Sequence, residues 1–390
     1  MNRTAGAETQ LLFDALRREQ TPERWLAAAA GADFDRLAVR AMVLGLAPAL
    51  HQRLTAWGAA VPARAAAKLS LTYQAQAQRA AGLYTQLAEV LQAAAQSNLR
   101  PIVLKGAHLA ALVYPAPALR PMNDIDLLFE PAELPAAEAV LRALGYGGKH
   151  KSPETGPGVV KHTSTYQRAA APAGTPNPYL SGDAERMVEP HTSLTEAWFG
   201  LRVDITPGVR ERAAAVTLAG QPARVLARED LLLHLCVHFC FHVIAGAPAM
   251  VQLLDLQVVS AAGLDWETFT RRARERGAAP YALAALSLAG RLLDAPVAEA
   301  LPVLAAATPA HLRRRAAALD LAALWRRTQQ KPLVTVAERV RRGLSDRAEA
   351  ASWASTPAEW ARVWATALRV GRTDTGRLLL DRANAIGRNK

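Results

Sequence analysis

Cysteine is nearly missing from this chain, with two among 390 residues. That scarcity argues against a secreted framework built on disulfides. Long hydrophobic runs are missing as well. The longest, LLLHLCVHFCFHVIAG from Leu231 to Gly246, has 16 residues and three histidines, too short and too polar to span a membrane. It reads as a buried helix. The opening MNRTAGAETQLLFDALRREQ shows no basic-then-apolar leader, so a cytoplasmic location with no membrane partner is expected. No internal repeat of fixed period stands out. Lysine is scarce, 7 against 39 arginines, a bias that a GC-rich genome produces without selection for polyanions.

What is present is an ordinary globular balance, 51% apolar and 21% charged residues. A chain of this length organises more than one hydrophobic core, so two or three subdomains are expected. The net charge of +12 invites a nucleic-acid partner. It is unevenly placed, because residues 311 to 390 hold 17 Lys and Arg against 7 acids, a net of +10. Nucleic acid is therefore a possible partner but not the favoured one, and a solvated helical face explains the basic segment better.

Apolar residues recur at spacings of three and four from about residue 8 to 99, with breaks near Pro48 and Pro62, which predicts four or five helices in a region 1–99. At Arg100 the texture changes. PIVLKG predicts a short strand ending in a glycine turn, AHLAALVY a short helix, NDIDLLF a second strand, and PAELPAAEAVLRALGY a helix. Between Gly145 and Gly182 stand 12 Gly and Pro in 38 residues. VVKHTSTYQR (159–168) and RMVEPHTSL (186–194) can pair there as antiparallel strands, with a mobile loop between them. The expected division is a helical region 1–99, an α/β core 100–227 with a Gly/Pro-rich loop at about 147–183, and a helical region 228–390, basic after 311. The fold class is α+β, a small mixed sheet flanked by helices.

RPMNDIDLLF (120–129) carries the strongest chemical signal. Strand side chains alternate, so Asp124 and Asp126 share one face while Ile125 and Leu127 take the other. Two carboxylates side by side repel, and burying both demands compensation. A divalent cation supplies it, and hard oxygen ligands suit Mg²⁺, which keeps positions for waters and phosphates. Alternatively Asp124 caps a loop and Asp126 meets an arginine such as Arg120 at the surface. The glycine turn of VLKG, 18 residues before Asp124, favours the first reading, because such turns let backbone N–H groups approach a phosphate.

PIVLKGAHLA followed by YPAPALRPMNDIDLLF resembles the core of the DNA polymerase β-like nucleotidyltransferases. More narrowly, it is similar to the bacterial family of uncharacterised nucleotidyltransferases, which shows an L-K-G turn, an arginine before D-I-D-L and a later E-x-H. The resemblance implies that Gly106 approaches phosphate, that Asp124 and Asp126 hold metal, and that Glu189 of VEPHTSL is the third carboxylate. His191 would share its face and contact substrate. Lys105 or Arg120 would neutralise the β- and γ-phosphates, although Lys105 can equally be a water-exposed strand end. The implied reaction is nucleoside monophosphate transfer from an NTP, with ATP the favoured donor, to an unknown acceptor: a small molecule, or a peptide or protein hydroxyl. Two Mg²⁺ ions about 3.5 to 4 Å apart would clamp the in-line displacement.

This chain departs from the superfamily in two places. Ala107 follows the glycine where a glycine or serine is usual. Pro190 interrupts E-P-H, and proline is tolerated mainly on edge strands, which leaves Asp204 of LRVDIT as a rival third carboxylate. A catalytically weak nucleotide-binding or interaction protein of the same fold is the competing reading, and transfer to an RNA end a further one.

Other groupings read more plainly. His234, His238 and His242 form a stripe at i, i+4 and i+8. Paired histidines at that spacing can bind zinc, but the third drifts round the helix and no acidic partner completes a known motif. Helix packing at the border of the cleft is the expectation. Asp255 of LLDL is expected in a helix-capping or buried-pair role rather than in chemistry, one of those histidines being a candidate partner. Trp325, Trp353, Trp360 and Trp364 are expected to pack in the core rather than stack on bases.

Overall fold

The computed structural model describes residues 6–149, 165–168, 186–328 and 336–366. Five helices precede the first strand: Ala7–Leu16, Pro22–Ala28, Phe34–Val43, Ala47–Ala56 and Ala63–Gln96. The last has 34 residues, about 50 Å at helical rise. Pro62 stands at its N-cap, and beyond its end Asn98 takes a left-handed φ of 56°, which lets Leu99 N–H close on the Ala94 carbonyl.

Nine strands are described: β1 (Ile102–Val103), β2 (Asp124–Leu128), β3 (Gly147–Lys149), β4 (Thr165–Arg168), β5 (Arg186–His191), β6 (Thr195–Trp198), β7 (Leu201–Asp204), β8 (Ala214–Leu218) and β9 (Gln221–Val225). Seven form one mixed sheet in the order β3-β4-β5-β2-β1-β9-β8, and β6 and β7 form a separate two-stranded sheet. β2 runs antiparallel to β1 and parallel to β5. β4 lies antiparallel to β5 with Tyr166 opposite Val188, as the alternation in the two segments suggested. The rest of the first segment, 159–164, and the loop between the strands lie outside the described residues, as do 367–390 of the basic segment.

The large sheet is covered on both faces. Val103, Ile125, Leu127, Phe129 and Val188 share a core with Leu83, Leu87 and Val90 of the long helix. Ile102, Leu104 and Leu128 point into the larger core built by the other helices. One-residue alternation thus sends neighbouring side chains of β1 and β2 into different cores. Asp124 and Asp126 lie on the Leu128 side. That face meets the helical region that begins with Arg228–Ile244.

In that helix 14 of 17 residues are buried, as its run of apolar residues implied. Among the described residues no helix is long and apolar enough to cross a membrane. Trp353 is fully buried and Trp325 nearly so, whereas Trp360 is 53% exposed and departs from the core-packing expectation. The architecture is α+β, a mixed sheet with helices on both sides.

Candidate active site

β2 and β5 build the site through their register. Asp126 pairs with Glu189 and Leu128 with His191. Paired residues on neighbouring strands project to the same face, so all three polar side chains meet. Asp126, Glu189 and His191 are each less than a tenth exposed. Ligand-capable atoms of the three lie within 4.8 Å of one another. His191 Nε2 is 2.6 Å from Asp126 Oδ1, and Thr165 Oγ1 donates to Glu189 Oε1 at 2.9 Å.

Pro190 does not prevent this arrangement. Phe129 N–H donates to the His191 carbonyl, so His191 turns its backbone groups towards β2 and Pro190 turns its own the other way. The donor that proline lacks is therefore not wanted by the β2–β5 ladder. On the opposite side, the described part of β4 begins at Thr165, whose neighbour Tyr166 is paired with Val188.

The strand-to-helix turn supplies the cation. Leu104 N–H bonds the Asp126 carbonyl, holding β1 to β2 up to the turn. Lys105 then adopts φ 38°, a left-handed conformation that costs a non-glycine residue about 1 to 2 kcal/mol. Its side chain returns to the sheet, where Nζ donates to Asp126 Oδ1 at 2.9 Å with 13% of the side chain exposed. Of the two alternatives read for Lys105, the water-exposed strand end is ruled out by that burial. Desolvation works against the Lys105 charge, but Asp126, Asp124 and Glu196 outweigh it and raise its pKa. Burial likewise pushes the Asp126 carboxyl up. Lys105 and His191 together overcome it and hold Asp126 well below the usual carboxylate range.

The remaining expected residues take varied places. Asp124 is partly exposed at the start of β2, and its charge acts on Arg79, Lys105 and Arg120. Gly106 has a packing reason for its identity, since a Cβ there would stand 3.0 Å from Met122 Cβ. Arg120 turns away from Asp126. Its Nε donates to Asp255 at 2.7 and 2.9 Å, and Tyr114 Oη donates to the same carboxylate at 2.7 Å. The buried pair expected of Asp255 therefore forms with Arg120, not with a histidine. Asp204 lies on β7 of the two-stranded sheet, opposite Thr195, and accepts from Thr206 N–H.

Sequence reasoning did not find Lys105 as the partner of Asp126, Thr165 as the donor to Glu189, or Glu196 beside His238. Lys105 had a signal in its place next to the turn glycine. Thr165 and Glu196 had none, because their partners are brought to them by strand pairing and helix packing.

The donor set fits a hard divalent cation. Two carboxylates converge with an imidazole, and carboxylates outnumber the fixed cation, since Lys105 answers to Asp126, Asp124 and Glu196 at once. Asp126 and Glu189, together with Asp124 at the start of β2, are the residues that would hold it.

The site thus sits on a mixed sheet, with buried carboxylates on two adjacent parallel strands next to a strand-to-helix turn. The family described as uncharacterised nucleotidyltransferase matches residues 30–294, and the chain is a member of it. A search of the curated proteins finds no match. Among solved structures, the antibiotic-resistance factor ANT(2'')-Ia in solution is 16% identical, with 50% of this chain and 91% of that chain covered at a TM-score of 0.34. ANT(2")-Ia in complex with adenylyl-2"-tobramycin is also 16% identical, with 50% and 97% covered at a TM-score of 0.35. Likeness of that size carries no argument about the site.

Proposed function

We propose that the protein transfers a nucleoside monophosphate from a nucleoside triphosphate to an acceptor hydroxyl, in a magnesium-dependent reaction at Asp124, Asp126 and Glu189. The observation that carries this reading is the register match of Asp126 with Glu189 on parallel strands, with His191 completing a buried cluster. Membership in a nucleotidyltransferase family supports it independently.

Bound magnesium would neutralise the triphosphate and the charge that develops during transfer. The chain's own residues do the rest. Lys105 neutralises negative charge beside Asp126, and the turn at Gly106 brings backbone N–H groups towards a phosphate. His191 holds the Asp126 carboxylate in place. Glu189 either completes the metal site or accepts the proton of the acceptor hydroxyl. The acceptor oxygen forms a bond to the α-phosphorus as the bond from that phosphorus to its leaving oxygen breaks, and pyrophosphate departs.

The test is calorimetric titration of ATP, GTP, CTP and UTP with and without Mg²⁺, using the wild type, the double variant Asp124→Asn, Asp126→Asn, and Glu189→Gln. Metal-dependent binding lost in the double variant supports the reading and names the donor. One observation favours a second reading. Lys105 Nζ and His191 Nε2 both already bond Asp126 Oδ1, an oxygen that a metal would use, which suits a nucleotide-binding protein without turnover. That reading predicts triphosphate binding indifferent to Mg²⁺.

A further inference from the structure

The histidine stripe lacked an acidic partner in the sequence, and the tertiary structure supplies one. Glu196 on β6 faces the helix Arg228–Ile244, and its Oε1 is 2.7 Å from His238 Nδ1. His234, one turn before His238, has its ring centroid 5.9 Å from that of His238. Ligand-capable atoms of Glu196, His234 and His238 all lie within 4.8 Å of one another, and all three residues are buried. His242 packs edge-on against the His238 ring with centroids 4.4 Å apart, and its Nδ1 donates to the Ala247 carbonyl at 3.2 Å.

We propose that Glu196, His234 and His238 form a second metal site, built for a borderline divalent cation of the zinc class. Two imidazoles one helical turn apart plus one carboxylate make a three-ligand donor set suited to zinc, with the fourth position left to water. The chemistry differs from that at β2 and β5. There two carboxylates and one imidazole favour a harder ion; here two imidazoles and one carboxylate favour a softer one.

Burial gives the site its physical reason. A carboxylate away from water is costly unless its charge is compensated, and a divalent cation compensates Glu196 while drawing both rings to one point. The ligands come from two elements, so metal binding pins the β6–β7 hairpin to the buried helix. The site is also an electrostatic neighbour of the proposed catalytic centre, because the Glu196 charge acts on Lys105. It does not depend on the nucleotidyl-transfer reading, since it shares no ligand with the first cluster.

The test uses the full-length protein. Metal content is measured by mass spectrometry on protein purified without chelator. The metal is then stripped and the apoprotein titrated with Co²⁺, whose visible bands intensify at four- or five-coordinate sites, and the cobalt is displaced with Zn²⁺. The expected result is stoichiometric zinc and a cobalt spectrum that zinc bleaches. In His234→Gln and Glu196→Gln, zinc affinity should fall by at least roughly 100-fold, more than the loss of an outer-shell partner costs. In the double variant Asp126→Asn, Glu189→Gln it should persist. If the site variants fail to fold, the cobalt titration of Asp126→Asn, Glu189→Gln still decides, because an intense spectrum that persists there does not come from the first cluster. Absence of bound metal together with absence of an intense cobalt spectrum would overturn the proposal. So would metal that survives His234→Gln but disappears from Asp126→Asn, Glu189→Gln.

Discussion

Replacing Asp255 by asparagine separates two roles for Arg120. The carboxylate of Asp255 is fully buried and accepts from Arg120 Nε and from Tyr114 Oη. Asparagine keeps the volume but removes the charge, leaving Arg120, a residue only 9% exposed, without its counter-ion. Breaking one side of a buried ion pair costs about 3 to 5 kcal/mol, whereas replacing both sides with apolar residues is often neutral or stabilising. Tyr114 adds about 1 kcal/mol for its weakened hydrogen bond. Asp255→Asn should therefore remove about 4 to 6 kcal/mol, a large part of the roughly 5 to 15 kcal/mol that holds a typical protein folded.

The triple variant Arg120→Met, Asp255→Leu, Tyr114→Phe should recover most of that loss. The assay is urea unfolding followed by circular dichroism, with triphosphate affinity measured on the same samples. If the triple variant regains both stability and affinity, Arg120 is a tether from the loop before β2 to the helix Val251–Ser260. Recovered stability without affinity would return Arg120 to the phosphate-binding role read from the sequence. A loss under about 1 kcal/mol in Asp255→Asn, or a triple variant no more stable than the single, would refute the buried-pair energetics.

Two other expectations follow from the turn and its helix. Burial holds the His108 imidazole down at about 4, so between about pH 6.5 and 4 the unfolded chain binds a proton that the native chain does not, and stability falls as pH drops through that window. About 2.5 pH units at 1.36 kcal/mol each amount to about 3 kcal/mol, measurable as a shift in urea midpoint that His108→Leu should lack. Asp126, held below its unfolded value, loses its contribution only at more acid pH. Gly106→Ala should cost about 1 kcal/mol or more by overpacking against Met122. Met122→Ala should not relieve it, because the close atom is Met122 Cβ; thermal unfolding of the single and double variants checks this.

The local parts of the site were legible because they follow from short-range rules. Period-two alternation placed Asp124 and Asp126 on one face of a strand. The apolar run before Gly106 marked the strand and turn, and E-P-H marked a second strand. A helix was expected over AHLAALVY (107–114) and is present as Lys105–Leu112, beginning two residues earlier and taking in the turn residues Lys105 and Gly106. The density of Gly and Pro after Gly145 suggested a loop from about residue 147, yet β3 occupies Gly147–Lys149 and pairs with β4. Composition marks where regular structure is costly, but a neighbouring strand can still recruit glycines to a sheet edge.

Pairing between distant residues was not legible. The family resemblance implies a phosphate-binding role for Arg120, four residues before Asp124, but its partner is 135 residues away in sequence. Lys105 reaches Asp126 across a turn, and Glu196 reaches His238 across 42 residues. By itself the sequence determined four of the strands, β1, β2, β4 and β5, the helical regions around them and which side chains of β2 share a face, since these depend on backbone sterics and on periodicity along a few residues. Only the tertiary structure decided which carboxylate meets which cation. That choice depends on strand order, register and helix packing, where many distant contacts must be satisfied together and no local pattern records the result.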